Sequence, residues 1–253
     1  MKKGFTLAEV LITLAIIGVV AAMTIPTLIV SYKERQTVSQ LTKVYSTLAS
    51  AYQMMQAEYG TIDTWGLKKT NTGEVDEEGN TIYDHSAQNL ISERLRKYLK
   101  VSKTCEEGKI CYSGASYTLD GVKRSDANKV ATNTGDSPVE GRFFLQDGTF
   151  VNFGWWNAAA GDGSIAVVLP IGKDAYLGKN RFFFGIDEKG LRPYGLKGVP
   201  TTSSSSFELG CDPTWSDATS GQGCTAWVIY NKNLDYLHCR DKLSWDEKHS
   251  CKD

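Results

Sequence analysis

The sequence predicts an α+β protein in which a long N-terminal helix packs by its second half on an antiparallel β-sheet head. Three observations lead to this fold class. Residues 5–30 are almost continuously apolar, and residues 38–59 carry apolar side chains at helical spacing. The chain after residue 113 alternates short β-prone runs with tight turns. The first half of the helix is therefore expected to span a membrane.

Charge and composition exclude some classes of protein. Lys and Arg number 28 against 29 Asp and Glu, which gives a formal net charge of -1. No broad basic field exists to hold a nucleic-acid backbone, so we expect no nucleic-acid partner. Because 41% of the residues are hydrophobic and 11% are aromatic, the chain can bury a core, and wholesale disorder is excluded.

The apolar N-terminal run is long enough to span a membrane, which takes about 20 predominantly apolar residues. Between Phe5 and Val30 the only charged side chain is Glu9. Lys2 and Lys3 precede the run and would hold the N-terminus on the cytoplasmic side. A secretory signal peptide and a plain membrane anchor are the alternatives, but neither explains Glu9. A carboxylate inside an apolar helix costs about 2.5 to 3.5 kcal/mol and needs a partner, such as a free α-amino group on a neighbouring copy.

The segment Lys2-Lys3-Gly4-Phe5-Thr6-Leu7-Ala8-Glu9 resembles the leader and cleavage site of type IV prepilins and type II secretion pseudopilins. This resemblance implies that a prepilin peptidase cuts after Gly4 and methylates the amine of Phe5. It also implies that Glu9 guides assembly and that Pro26 bends the helix. The implied partners are the prepilin peptidase, other pilin or pseudopilin subunits, the inner-membrane assembly platform and the membrane itself.

These features divide the chain into four segments. Residues 1–4 are a leader peptide, and residues 5–30 are a transmembrane and filament-core helix. Residues 31–60 continue as an amphipathic helix, and residues 61–253 form the globular head. Before assembly we expect a single-pass protein of the bacterial inner membrane with a cytoplasmic N-terminus. Its head would be periplasmic or extracellular and associated with the filament.

One stripe of seven side chains predicts how the second half of the helix packs. The members recur at alternating intervals of three and four residues, and they are Val38, Leu41, Tyr45, Leu48, Tyr52, Met55 and Tyr59. A coiled coil is the alternative, but the stripe covers only about three heptads. Packing on the head is therefore favoured, and Gly60 ends the helix.

The head begins with a solvated loop or short hairpin over residues 60–85 and a second helix around residues 90–99. The basic residues of this helix are expected to form a solvated face, with a basic interaction face as the alternative. Predicted strands follow, at residues 143–145, 150–153, 165–169, 182–186 and 226–230. Asp147-Gly148 and the turn at residues 187–190 predict hairpins, and residues 201–206 predict a low-complexity linker.

The cysteines predict disulfides. All six lie in the part that an anchored chain would expose outside the cytoplasm: Cys105, Cys111, Cys211, Cys224, Cys239 and Cys251. Short loops close at low entropic cost, which favours pairing each cysteine with its neighbour in sequence, 105 with 111, 211 with 224, and 239 with 251. The main rival pairs Cys224 with Cys239 across a strand at 226–230. Zinc binding is the alternative, but no Cys-x-x-Cys pair occurs.

Catalytic motifs are absent from the sequence. It contains no His-Glu-x-x-His, no Gly-x-Ser-x-Gly and no phosphate-binding glycine loop, so we predict no enzyme, no catalytic residue, no metal site and no cofactor. Calcium is a further alternative, with turn carboxylates as candidate ligands: Asp162, Asp174 and Asp187. Ordinary turn formation explains these acids as well.

Histidines and clustered aromatic residues also have ordinary explanations. Surface or core positions account for the three histidines, which are His85, His238 and His249. Trp155-Trp156 and the aromatic run at 182–184 would line a ligand groove in a binding protein. For aromatic residues in strands, however, a place in the core is the usual explanation.

Three function classes follow. The first is a structural subunit of a type II secretion pseudopilus or a type IV pilus, assembled through its N-terminal helix. The second is a filament-presented or membrane-anchored binding protein, an adhesin or substrate-binding head, and the third is an anchored extracellular enzyme. The main subunits of the family generally have smaller heads, so a minor or specialised subunit is expected. Glu9 argues against the pseudopilin-tip subunit, which typically lacks this acid.

Overall fold

The computed structural model describes residues 6–79, 81–105, 111–123, 141–157, 161–198 and 203–252. It divides into two compact units, Met1–Gln36 and Thr37–Asp253. We call the second one the head unit. Helix α1 contributes residues to both units. The predicted α+β class is confirmed, because a long apolar N-terminal helix is followed by an antiparallel sheet.

The helices have the following bounds: α1 (Leu7–Tyr59), α2 (Ser86–Arg96), α3 (Thr225–Asn231) and α4 (Tyr236–Cys239). Four short 3-10 turns lie at Ile62–Trp65, Ser203–Ser205, Gln222–Cys224 and Arg240–Lys242. The strands are β1 (Asn71–Val75), β2 (Thr81–Tyr83), β3 (Val101–Thr104), β4 (Ser116–Tyr117), β5 (Arg142–Leu145), β6 (Phe150–Asn157), β7 (Asp162–Val168), β8 (Ala175–Tyr176), β9 (Arg181–Asp187) and β10 (Gly190–Pro193).

A six-stranded antiparallel sheet forms the centre of the head unit, with strand order β10-β9-β7-β6-β5-β3. The tight turn at Asp147-Gly148 connects β5 and β6 as predicted, and Gly148 has the positive φ of 85° that favours glycine there. The turn between β9 and β10 was also predicted, and the two strands pair directly across it. Short connections account for the antiparallel pairing of β5 with β6, β6 with β7 and β9 with β10, as the sequence indicated, whereas longer connections separate β3 from β5 and β7 from β9.

Two smaller pairings lie outside this sheet. Strands β1 and β2 form a two-stranded antiparallel ribbon, which is the short hairpin expected between residues 60 and 85. Strands β4 and β8 pair in parallel, with Ser116 opposite Ala175. This parallel pair was not predicted, because its strands have two residues each and lie far apart in sequence.

The predicted stripe on α1 packs against the sheet, with four of its seven residues buried and Val38, Tyr45 and Tyr59 half-buried. Leu41, Leu48, Tyr52 and Met55 are each at most 1% exposed. The Tyr45 ring stacks on Phe184 with 5.7 Å between the ring centroids. Within the head unit, this part of α1 therefore serves as one layer of the core, rather than as a coiled-coil seam.

Residues 226–230 were predicted as a strand, and this prediction is wrong, because they lie in helix α3. Thr225, Ala226, Trp227, Val228 and Ile229 are all buried. A run of five buried residues shows no alternation of polar and apolar side chains at helical spacing, so its sequence resembles that of a buried strand. Lys232 ends the helix in the left-handed conformation, with φ of 57°.

Two further interpretations need correction. Residues 201 and 202 of the predicted linker lie outside the described residues. Residues 203–206 are not only a linker, because Ser205 is 5% exposed and its carbonyl accepts a hydrogen bond from the Gly195 amide at 2.7 Å. The basic residues of α2 are not all solvated. The Arg94 guanidinium lies over the rings of Tyr59 and Trp65, 4.6 and 4.1 Å from their centroids, and so ties α2 to the end of α1.

Candidate functional site

The first turn of α1 is closed by a reciprocal pair of side chains. The Thr6 amide and the Thr6 hydroxyl each donate a hydrogen bond to Glu9 Oε2 at 2.8 Å. The Glu9 amide in turn donates to Thr6 Oγ1 at 3.2 Å. This is a capping box, in which residues three apart satisfy backbone amides that would otherwise lack a partner. Thr6 was missed as a site residue, although the spacing Thr-x-x-Glu before an apolar run signals it.

The capping box gives Glu9 a local role beside its predicted role in assembly. Two hydrogen bonds from Thr6 partly satisfy the carboxylate, but Thr6 carries no charge to neutralise it. The need for a positively charged partner therefore persists in an apolar environment. Gly4 and Phe5, the predicted cleavage pair, lie outside the described residues.

The apolar part of α1 offers a surface to lipid or to other helices. Among residues 6–36 no side chain is buried, and Leu7, Met23 and Leu28 are each at least 65% exposed. The helix is long and apolar enough to cross a membrane, judged by length and composition. It continues without interruption through Pro26. The bend at Pro26 stays a prediction.

The six cysteines form three disulfides in the structure. They join Cys105 to Cys111, Cys211 to Cys224, and Cys239 to Cys251, with Cα separations of 5.4, 4.7 and 5.8 Å. These are the three pairs that sequence spacing placed first. The rival pairing of Cys224 with Cys239 assumed a strand where α3 lies, so its structural premise is wrong.

The three candidate calcium ligands do not form one group. Asp162 and Asp187 face each other across β7 and β9, because Gly163 pairs with Ile186. Asp187 is bound by Arg192, and partial burial raises the pKa of Asp162 while Arg192 opposes that rise. Asp174 lies apart and accepts a hydrogen bond from the Ala115 amide at 2.9 Å. Within the described ranges, no three His, Cys, Asp or Glu side chains form a metal-binding group. Calcium binding stays a prediction.

The histidines have three separate environments. His85 stacks on Tyr83, and His249 meets the Trp227 ring edge-on at 6.0 Å. His238 lines a cleft of about 390 Å³. Trp156 and the aromatic run at 182–184 belong to the core, since they are at most 8% exposed, whereas the Trp155 side chain lies outside the described part of the chain.

Arg240 also lines that cleft, but its guanidinium is committed to the fold. Its nitrogens donate to the carbonyls of Phe207, Glu208, Cys211 and Leu243 at 2.9 to 3.2 Å. The same group lies 4.1 Å from the centroid of the Phe207 ring. A guanidinium has five N–H donors, so little of its capacity remains for a ligand in the cleft.

The N-terminal segment matches a known family model. Residues 1–25 match the family model of the prokaryotic N-terminal methylation motif, which is the prepilin-type cleavage segment of type IV pilins and pseudopilins. The resemblance seen from Lys2 to Glu9 is thus confirmed. The chain is a pilin- or pseudopilin-like precursor, and this motif implies processing by a prepilin peptidase and assembly with other pilin subunits.

No curated protein and no solved structure matches the chain. A second family model, described as a family of unknown function (DUF6613), matches residues 27–155. That match begins where the methylation motif ends and covers just over half of the 253 residues. The chain therefore belongs to the DUF6613 family and carries a prepilin-type N-terminal methylation motif in front of the matched region.

Proposed function

We propose that this protein is a minor or specialised structural subunit of a type II secretion pseudopilus or a type IV pilus. It assembles through α1 after cleavage between Gly4 and Phe5. One observation carries the proposal: the methylation motif at residues 1–25 continues directly into a helix whose described residues before Thr37 are all unburied. Such an apolar surface requires lipid before assembly and other helices after it.

Glu9 selects the partner in this mechanism. Within a bundle of apolar helices an unpaired carboxylate is costly, whereas a carboxylate beside an ammonium group is neutralised. Cleavage after Gly4 creates an ammonium group at Phe5, five positions into the precursor. The Phe5 amine of one subunit and Glu9 of another therefore stabilise each other, and uncleaved precursor lacks that amine.

The head unit supports placement outside the cytoplasm. Its three disulfides suit an oxidising compartment, and the basic residues Lys2 and Lys3 suit the cytoplasmic side of the span. In this arrangement the prepilin peptidase acts at the inner membrane, and the assembly platform there delivers the subunit into the filament. The large head explains why we place it among specialised subunits rather than main ones.

Processing and location test the proposal together. Full-length protein is purified from its native host, from the membrane fraction and from sheared filaments, and its N-terminal peptide is measured by mass spectrometry. We expect a chain that begins at Phe5 with a methylated amine in the filament fraction. The Gly4→Leu variant should keep residues 1–4 and stay in the membrane. Assembled protein that retains residues 1–4, or processed protein that never enters filaments, would contradict the proposal.

A further inference from the structure

The apolar run of α1 is followed by a short basic and aromatic segment. Val30 is the last residue of the run, and Tyr32, Lys33 and Arg35 come directly after it on the same helix. All three side chains are exposed, that of Tyr32 by 68%. Aromatic and basic residues at the end of an apolar helix are typical of the interface between membrane and water. We call Tyr32, Lys33 and Arg35 the interfacial cluster.

The interfacial cluster lies on one side of the helix. Successive residues of an α-helix are about 100° apart, so Lys33 and Arg35 flank Tyr32 at about 100° and 60°. Glu34 is about 160° from Tyr32, on the opposite side, and it is half-buried. Among the described residues no acid forms an ion pair with Lys33 or Arg35. The side that carries Tyr32 therefore presents two positive charges and a phenol to its surroundings.

The interfacial cluster lies about one membrane thickness from the start of α1. At ~1.5 Å per residue, the helix rises about 42 Å from Leu7 to Arg35. A bilayer measures about 30 Å across its hydrocarbon core and about 40 to 45 Å with its headgroup regions. A tilt of about 20°, the average for spanning helices, shortens this rise only to about 39 Å. When the apolar run fills the hydrocarbon core, the cluster is therefore level with the headgroups of the leaflet beyond Val30.

Cleavage of the leader changes which basic residues flank the apolar run. Cleavage after Gly4 removes Lys2 and Lys3, which precede the run in the precursor. Apart from the new terminal amine, the positive charges nearest to the run are then Lys33 and Arg35. Basic side chains at a helix end extend toward the membrane surface and place their charge among the headgroups. In the processed subunit, these side chains are concentrated at the interfacial cluster.

We propose that the interfacial cluster binds the phosphate of an anionic phospholipid, in the leaflet beyond Val30, before the subunit enters a filament. The Arg35 guanidinium donates to two phosphate oxygens in its planar geometry, and the Lys33 ammonium adds a second positive charge. Each basic side chain near an anionic membrane surface strengthens the attraction, so phosphatidylglycerol is preferred to a zwitterionic lipid. This inference rests on the proposed function only for the membrane-inserted state that precedes assembly.

An acidic side chain of another subunit is the alternative partner for the two positive charges. The observations favour lipid for two reasons. Tyr32 belongs to a membrane interface and adds nothing to an ion pair between proteins. The distance from Leu7 to Arg35 also equals the thickness of a bilayer with its headgroups, which an ion pair between proteins does not require.

Photo-cross-linking beside the interfacial cluster tests the proposal. Ser31 is exposed and lies one helical turn before Arg35, so Ser31→p-benzoylphenylalanine places a photoreactive ketone next to the cluster. The full chain is processed in its native host, purified from the membrane and reconstituted in vesicles of equal parts phosphatidylglycerol and phosphatidylcholine. Intact-mass measurement after irradiation distinguishes the two lipid adducts. We expect about tenfold more adduct with phosphatidylglycerol than with phosphatidylcholine.

Variants of the cluster show whether its charges cause the preference. Lys33→Gln with Arg35→Gln should reduce the ratio of the two adducts to about one, whereas Lys33→Arg with Arg35→Lys keeps both charges and should retain the preference. Lys103→Gln with Lys252→Gln is the matched control, because it neutralises two exposed lysines of the head unit, and it should leave the ratio unaltered. Equal adducts in the parent protein, a ratio that survives Lys33→Gln with Arg35→Gln, or a cross-link to a second subunit instead of lipid would overturn the inference.

The lipid measurement and the filament measurement can fail separately. A protein that enters filaments in its host but shows no lipid preference in vesicles would contradict the inference alone. A protein that prefers phosphatidylglycerol but never enters filaments would contradict the filament function, and the contact with lipid would remain established.

Discussion

Thr6 and Glu9 cap each other at the start of α1, with both Thr6 donors 2.8 Å from the same Glu9 oxygen. The cap and the charge of Glu9 are separable chemical properties. A glutamine retains a side-chain oxygen that accepts these hydrogen bonds but has no charge, whereas a valine at residue 6 removes the hydroxyl contacts of the cap and leaves the carboxylate. Local helix initiation and recruitment by another subunit can therefore be measured independently.

Glu9→Gln should be cleaved and methylated normally but should enter filaments at least about tenfold less than wild type, because the pair with the Phe5 amine is lost. The measurement is incorporation of tagged variant in competition with co-expressed wild type. Thr6→Val is the matched control, and it should lose only the hydroxyl contacts of the cap, worth about 0.5 to 2 kcal/mol of helix stability. If Glu9→Gln incorporates like wild type, charge pairing does not recruit the subunit.

The disulfide from Cys239 to Cys251 should stabilise the C-terminal tail. Near this disulfide the tail is also held by two hydrogen bonds, from the Asn233 side-chain amide to the His249 carbonyl at 2.9 Å and from the Cys251 amide to Asp235 Oδ2 at 2.6 Å. Replacing both cysteines by serine should reduce the free energy of unfolding by about 2 to 4 kcal/mol. Denaturant unfolding measures the loss, and peptide mapping without reductant checks the pairing. A linked Cys224–Cys239 peptide would contradict the connectivity, and free thiols at all six positions would contradict the oxidising compartment.

The amphipathic part of α1 was predictable because its period is visible in the sequence. Leu41, Leu48 and Met55 recur at seven-residue spacing and are all buried. The hairpin at Asp147-Gly148 was predictable for a similar reason, since the turn residues and the two strands that flank them are contiguous in the sequence. For the same reason the disulfide pairs could be ranked, because each closes a short loop.

Elements whose neighbours are distant in sequence were not predictable. Helix α3 contains five consecutive buried residues, so its sequence shows no helical period, and its position depends on contacts such as the stacking of Phe207 on Trp227 at 4.3 Å. Stacking of Arg94 on Trp65 likewise depends on how α2 packs against the end of α1. The capping role of Thr6, by contrast, is predictable from the sequence, because Thr6 and Glu9 have the Thr-x-x-Glu spacing of a capping box before an apolar run.

Tyr52 links α1 to the sheet in a pH-dependent way. Its hydroxyl donates to the Asp187 carbonyl at 2.8 Å, and burial raises the pKa of Tyr52 well above its ordinary value near 10. A raised pKa in the folded state means that folding favours the neutral phenol. The stability that the neutral Tyr52 phenol contributes is fully present below the pKa of tyrosine in the unfolded chain, and it is lost as the pH rises above about 10.

The Tyr52→Phe variant should therefore be less stable than wild type by about 1 kcal/mol at pH 7, where the hydrogen bond is lost. At pH 11 the free energy of unfolding of the wild-type head should fall by about 1.4 kcal/mol through Tyr52 alone. The stability difference between wild type and Tyr52→Phe should therefore vanish or reverse. Urea unfolding of both proteins at the two pH values, in short incubations that spare the disulfides, makes the comparison. A difference that is the same at both values would show that Tyr52 is not the group that titrates.

Gly223 lies where backbone segments approach too closely for any side chain. A Cβ built at Gly223 would lie 1.8 Å from the Ser206 carbonyl oxygen and 3.0 Å from the Gly210 carbonyl carbon. Both obstacles are backbone, so neither can rotate away. The adjacent Cys224 is fixed by its disulfide to Cys211, which limits relaxation of the chain. Gly223→Ala should therefore reduce the free energy of unfolding by more than about 2 kcal/mol, as severe overpacking of a core does.

Gly172→Ala is the matched control for this prediction. Gly172 has a positive φ of 85° but no atom within 4 Å of a built Cβ, so alanine there should cost only about 1 to 2 kcal/mol of backbone strain. Thermal unfolding followed by tryptophan fluorescence compares the two variants with wild type, and trypsin resistance of the purified protein gives a second measure. We expect Gly223→Ala to be the less stable variant by both measures, because a fixed carbonyl oxygen occupies the space that its Cβ needs. Equal stability of the two variants would show that the segments around Ser206 and Gly210 can separate without cost. In that case the close packing around the Cys211–Cys224 disulfide would not contribute to the stability of the head unit.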